Sequence, residues 1–249
     1  MARSRELFSD GVVLLETARL IEDALCSGIR LEAVFVRRGA VTRVDSFLRE
    51  LSPATTIYEI PSALFQSLAT TETSQGVLAL AELRRWREVD LFPAGAALVL
   101  IAAGLQDPGN LGAMIRAAEA FGATGVMLTR GTVSPYNAKA IRAMAGALLR
   151  MPILREMTAP GVQALLSRYQ VPLFAAVVQG GTPISAIRWK GPAAVAIGSE
   201  GSGVCRELAE AAAKITVPMR PPADSLNAAA AAAVVLYEIA RQRESRKSS

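Results

Sequence analysis

Residues 214–241 read KITVPMRPPADSLNAAAAAAVVLYEIAR, and this stretch decides the fold. Its opening predicts a short apolar strand, Ile215 to Val217, that runs into a turn stiffened by Pro218, Pro221 and Pro222. Asp224 or Ser225 is placed to cap the alanine-rich helix that follows, because a short side-chain oxygen satisfies one of the free N–H groups of a first turn. Ser225 and Asn227 then stand where a strand's carboxyl end meets a helix N-terminus, the place where open α/β sheets bind ligands. An ordinary cap over a buried alanine face accounts for the stretch taken alone. Two stretches upstream add to it.

The first is GLQDPGNLGAMIRAAEAFG, Gly104 to Gly122: a strand exit, Asp107-Pro108-Gly109 turn chemistry and a helix. Asn110 and Arg116 are its polar outliers, Asn110 placed to cap the helix and Arg116 about two turns in. The second is AAVAIGSEGSG, Ala193 to Gly203: an apolar strand, then a glycine-rich loop that lets backbone approach a ligand, with Glu200 at its rim. Neither glycine set follows the spacing of a dinucleotide fingerprint or a phosphate-binding P-loop, which disfavours a small-molecule nucleotide enzyme.

The rest of the chain supplies a frame. Over residues 12–80 short apolar strands alternate with amphipathic helices, one of them near Thr42–Leu51, which predicts a small α/β unit. Leu83 to Gly95 has no clean periodicity and is predicted as a linker, giving domains at 1–83 and 96–249 joined by 84–95. From Ala96 onward, strands at Ala97–Ala102, Val126–Thr129, Leu173–Val178, Ala193–Ile197 and Ile215–Val217 are apolar on both faces, as strands of a doubly wound parallel sheet are.

Composition narrows the chemistry. The 249 residues are 51% apolar and contain no histidine, so Ser-His-Asp and Cys-His catalysis and histidine metal sites are excluded. Cys26 and Cys205 form no Cys-x-x-Cys pair and are expected in the core, and no metal site is expected. No apolar run approaches the roughly 20 residues that span a bilayer, so no membrane partner is expected and the location is read as cytoplasmic. Residues 1–90 carry 11 Arg against 13 Asp+Glu, whereas residues 91–249 carry 16 Lys+Arg against 9 Asp+Glu, which makes the second part the polyanion-binding candidate.

In this order and at these strand ends, the three stretches resemble the SpoU (TrmH-type) RNA ribose 2′-O-methyltransferases of the SPOUT superfamily. The resemblance rests on Asn110-Leu111-Gly112 with Arg116 and Phe121-Gly122, on Gly198-Ser199-Glu200-Gly201 with Gly203, and on Val217-Pro218-Met219 with Ser225-Leu226-Asn227, covering residues 96–241. The front part is similar to the ribosomal-protein-like substrate-binding domain these enzymes often carry, through Glu16, Ala18-Arg19-Leu20, Thr73 and Gln75-Gly76-Val77-Leu78-Ala79.

That resemblance implies a parallel sheet whose C-terminal segment is threaded into a deep trefoil knot. It implies S-adenosylmethionine as cofactor, contacted at Gly198, Val217 and Leu226 with Ala176 and Val178 as a third wall. The implied catalytic set is Asn110, Arg116, Glu200, Ser225 and Asn227, acting on a ribose 2′-hydroxyl of RNA, with 23S ribosomal RNA favoured over transfer RNA, and with a homodimer as the acting form. Loop RNA rather than DNA is the expected partner. The family's proposed base matches Arg116, yet free arginine keeps its proton to about pH 12, so a cation that grips phosphate and stabilises the alkoxide is the other role open to it. Pro221 and Ala229 depart from the family's glycine and second serine. A catalytically silent RNA-binding protein on the same scaffold is the rival, and none of its marks, loss of Asn110, Arg116, Glu200 or Asn227, is present.

Overall fold

In the computed structural model, residues 11–40, 51–53, 55–71, 74–199 and 201–244 are described. The expected helix near Thr42–Leu51 lies almost wholly outside them, as do Thr73 and Glu200. The chain divides into two compact units, residues to Arg85 with Tyr136–Ala138, and Trp86 onward with the remainder.

The first unit contains β1 (Val12–Leu15), α1 (Ala18–Cys26), β2 (Arg30–Arg37), β3 (Thr56–Ile60), α2 (Ser62–Leu68) and β4 (Val77–Glu82). Its four strands pair in the order β1-β4-β2-β3, with β2 and β3 parallel and the other pairs antiparallel. Thr17 caps α1 by accepting from the Leu20 N–H at 3.1 Å. Ile21 and Ala24 are the buried stripe of that helix. Glu16 is buried but fully used, its carboxylate accepting from the Thr70 and Thr71 backbone N–H groups and from both threonine hydroxyls. Cys26 and Cys205 are both free and exposed, against the expectation of core cysteines; each lies at an end of a helix, outside its buried stripe.

The second unit contains α3 (Glu88–Leu91), β5 (Leu98–Ala103), α4 (Pro108–Ala120), β6 (Gly125–Thr129), α5 (Ala138–Met144), β7 (Ile153–Met157), α6 (Ala159–Arg168), β8 (Leu173–Ala176), β9 (Thr182–Pro183), β10 (Ala193–Gly198), α7 (Arg206–Ala211), β11 (Ala213–Thr216) and α8 (Ala228–Glu244). Its seven strands form one wholly parallel sheet in the order β7-β6-β5-β10-β8-β11-β9. Every residue of β5 and β6 is buried, as sheet centres covered on both faces require. Val99 and Ile101 of β5 join Val162, Leu165 and Leu208 from α6 and α7 in one core cluster, while α4 and α8 pack against each other. The stretch expected to link the domains is more ordered than a tether: Leu91 and Phe92 enter that same cluster, and Phe92 stacks on Tyr169 at 4.2 Å.

Two strands escaped the sequence pattern. β7 sits at the edge with Arg155 and Glu156 exposed, and β9 has only two residues, so neither shows the apolar run of a central strand. α5 stops at Met144, where Ala145 and Gly146 take positive φ and a short 3-10 turn follows.

Candidate functional site

Because the large sheet is wholly parallel, the carboxyl ends of β5, β10, β8 and β11 share one edge, and these four strands are neighbours in that order. The loops that leave them are 104–107, 199–205, 177–181 and 217–227, so the three stretches singled out in the sequence converge on one edge.

At its centre two helix N-termini are tied together. Asn227 caps α8: its Oδ1 accepts from the Ala229 N–H at 2.8 Å and the Ala230 N–H at 3.2 Å. The cap is therefore Asn227, not Asp224 or Ser225 as the sequence suggested, because the extended turn after Pro222 carries the helix start further along. Its Nδ2 donates to Asn110 Oδ1 at 2.8 Å, across 117 residues of chain. Asn110 does not cap α4 either. Asp107 does, its Oδ1 accepting from the Asn110 N–H at 2.8 Å with Pro108 in the first turn, while its Oδ2 accepts from Lys139 Nζ at 2.8 Å. The lysine hydrogen bond, followed by the Asn110 N–H, holds the Asp107 carboxyl below the usual carboxylate value. With its own side-chain oxygen released from capping, Asn110 can face Asn227.

Arg116 lies two turns into α4, exposed, with no hydrogen bond or ion pair among the described residues. Ser225 is exposed in the turn before α8 and likewise makes no side-chain hydrogen bond among them. Glu200 lies outside the described residues.

The expected cofactor wall is laid out by β8, β10 and β11. Ala176 ends β8 half-buried, Val178 two residues on is 54% exposed, and Gly198 ends β10. Val217 and Leu226 bracket the turn after β11, both half-buried. The turn and the Val178 loop are stitched together by the Val177 N–H donating to the Ile215 carbonyl at 2.9 Å and Thr216 Oγ1 donating to the Val178 carbonyl at 3.1 Å. Gly198 has a structural reason of its own: a Cβ there would lie 1.8 Å from the Gly203 carbonyl carbon, because the loop folds back with the Gly203 N–H donating to the Ser199 carbonyl at 2.9 Å.

These residues fit a cofactor of adenosine type held by backbone groups and apolar contact. Val178 leaves a large apolar side chain exposed at the carboxyl edge of a parallel sheet, and Val217 and Leu226 are only half covered. The charged residues of the turn after β11 are Arg220 and Asp224, both exposed. Among the described residues there is no group of side chains that could hold a metal ion.

A model of the SpoU rRNA Methylase family matches residues 97–237. The chain belongs to that family. A second model, the MRM3-like substrate binding domain, matches residues 3–79. The SpoU relatives include the 23S rRNA (guanosine(2553)-2′-O)-methyltransferase RlmP of Bacillus subtilis strain 168, 31% identical over 94% of this chain and 91% of its own. Among solved structures, the SpoU methyltransferase AviRb from Streptomyces viridochromogenes, crystallised with AdoMet, superposes with a TM-score of 0.87 at 24% identity, over 94% of this chain and 91% of that one. An AdoMet-bound rRNA methyltransferase from Sinorhizobium meliloti superposes with a TM-score of 0.77 at 27% identity, over 93% and 87%. The α/β fold with a parallel seven-stranded sheet is that of SpoU enzymes, so this chain is an RNA methyltransferase by family and by fold.

Sequence reasoning passed over two members of the site. Asp107 was legible: Asp-Pro directly before an apolar-periodic segment is an N-cap signature. Lys139 was not, since nothing local connects it to a carboxylate 32 residues away.

Proposed function

We propose that this SpoU methylase transfers a methyl group from S-adenosylmethionine to a ribose 2′-hydroxyl of ribosomal RNA, with 23S rRNA as the substrate. The observation that supports the reading is the Asn227–Asn110 hydrogen bond, which ties two helix N-termini together at the edge where the loops of four parallel strands meet. The likeness to RlmP supports the acceptor, and the likeness to the AdoMet-bound Sinorhizobium enzyme supports the donor.

Gly198, Val217 and Leu226 would hold the cofactor's adenosine portion, with Ala176 and Val178 as the third wall. When bound, the sulfonium supplies an electrophilic methyl group for in-line displacement. The chain's own task is to present the hydroxyl and manage its proton, so positioning supplies much of the rate. Asn110 and Asn227, joined amide to amide, would position the ribose hydroxyl, with Asn227 itself held by its cap on α8. Arg116, a cation without a counter-ion among the described residues, grips the neighbouring phosphate and stabilises the forming alkoxide while that phosphate or a water takes the proton. Glu200 and Ser225 complete the polar set around the sugar.

The acting form is a homodimer. Ala228 and Ala232 are buried within the subunit, but α8 also leaves Val234 and Tyr237 exposed, 39% and 54%, with Phe121 edge-on to Tyr237 at 5.7 Å. Light scattering at micromolar concentration should return twice the 26.3 kDa chain mass. The remaining parts of this reading are a trefoil-knotted C-terminal segment, a cytoplasmic location and a division of labour in which residues 1–83 bind substrate. No helix among the described residues is long and apolar enough to cross a membrane.

The deciding experiment is methyl transfer from labelled cofactor to a 23S rRNA fragment, with a 2′-deoxy substitution at the mapped nucleotide. Label should vanish. Label that still enters at that nucleotide would move the acceptor to a base.

A further inference from the structure

The small unit holds a pocket of about 580 Å³ lined by Arg37, Phe65, Gln66, Ala69, Thr70, Thr71 and Ser74. It opens where β2 ends, beside the loop that Glu16 fastens down. Thr70 and Thr71 spend their N–H groups and hydroxyl hydrogens on Glu16, so that carboxylate is already saturated. The remaining polar side chains keep donors in hand. Arg37 is half-buried, and its guanidinium has no hydrogen bond or ion pair among the described residues, in contrast to Arg38 next to it, which faces Glu59 at 3.9 Å. Gln66 donates to nothing among them, and Ser74 Oγ only accepts, from the Gly76 N–H at 3.3 Å. Gly76 has positive φ and no side chain, and a Cβ there would fall 3.7 Å from Arg37 Nε, so the arginine lies over the start of β4 with its stem supported.

A partly desolvated guanidinium without a counter-ion is costly unless a ligand completes it. Three side chains with spare donor hydrogens, one of them a cation and none an anion, match phosphate oxygens. We propose that this pocket binds a phosphodiester of the RNA substrate, with Arg37 paired to the phosphate and Gln66 and Ser74 donating to it or to the adjoining sugar. This rests on the reading of the chain as an RNA methyltransferase, and it assigns the small unit a contact that fixes register on the RNA without reading its sequence.

The test is RNA binding by the full chain, followed by fluorescence anisotropy across a salt series, with Arg37→Ala, Arg37→Lys and Gln66→Ala, and with thermal melts to show that each variant is folded. Arg37→Ala should weaken binding of a 23S rRNA fragment about tenfold and flatten the dependence of log K on log salt by about one contact. Arg37→Lys should restore the slope and only part of the affinity, because lysine keeps the charge and loses the fork. Turnover at saturating RNA and cofactor binding should stay at wild-type values. An Arg37→Ala protein that melts normally and binds RNA with unchanged affinity and slope overturns the pocket assignment while leaving the methyltransferase reading intact. Inorganic phosphate binding at submillimolar concentration, lost in Arg37→Ala without any change in RNA affinity, assigns the pocket to a free anion and also overturns it. Wild-type protein that binds no RNA removes both readings.

Discussion

Replacing Asn227 separates what its side chain does for the helix from what it does for the site. Asn227→Ala deletes the acceptor for the Ala229 and Ala230 N–H groups and the donor to Asn110. Loss of an N-cap costs about 1 kcal/mol, and the exposed amide–amide bond adds about 0.5–1 kcal/mol, for a total of about 1.5–2 kcal/mol. In a chain of this length that lowers Tm by about 3–8 °C. Asn227→Asp behaves differently. Its carboxylate keeps the cap and is favoured by the positive end of α8, so stability should remain within about 0.5 kcal/mol of wild type. It nevertheless turns an oxygen toward Asn110 Oδ1 where an N–H had been, and Asn110 must rotate away. Turnover should then fall about a hundredfold, the scale of an ångström-sized misplacement, with cofactor affinity unchanged. Urea melts and single-turnover methyl transfer on both variants check this, and a double-mutant cycle with Asn110→Ala should return a coupling of about 0.5–1 kcal/mol. An Asn227→Asp enzyme with wild-type turnover, or an Asn227→Ala protein with wild-type Tm, would refute the dual role.

Arg116→Ala should nearly abolish turnover while calorimetric S-adenosylmethionine affinity stays within about threefold, because the proposed cofactor wall is drawn from other strands; joint loss of both would make Arg116 part of the pocket. Gly198→Ala should remove cofactor binding and destabilise the large unit by about 1–3 kcal/mol, since the new methyl group meets Gly203 backbone at 1.8 Å, and a variant with unchanged binding would show that the loop is not held closed there. Glu238 accepts from Arg241 and Gln242, which lowers its pKa from the usual 4.5 to about 2, so the stability it contributes is complete above pH 4.5 and disappears as pH falls toward 2. The urea midpoint of wild type should therefore exceed that of Glu238→Gln near neutrality and converge with it at low pH; a gap that widens on acidification contradicts the pairing.

The elements of the large sheet were written in local pattern. Strands that are buried on both faces have to be apolar at every position, so Leu98–Ala103 and Ala193–Gly198 announce themselves, and the loops after them follow from chain direction alone. The polar outliers in the segments that follow those strands, Asn110, Arg116, Ser225 and Asn227, were legible for the same reason: an apolar scaffold makes its polar exceptions visible.

Partnership was not legible, and here tertiary structure decided. A strand apolar on both faces carries no mark of its neighbours, so the order β5-β10-β8-β11 came only from long-range pairing, and with it the meeting of Asn110 and Asn227. Caps were misassigned where several short polar residues stood in a row. Asp107, Asn110, Asp224, Ser225 and Asn227 can each cap a helix, and which one does depends on where the first turn closes against its neighbour. The same holds for Arg37, one of 23 arginines in the sequence, distinguished only once folding had half-buried it in a pocket that Thr70 and Thr71 also line. Sequence determines which groups the chain can offer; burial and distance, set by contacts between remote residues, determine which of them remain unpaired and available for chemistry.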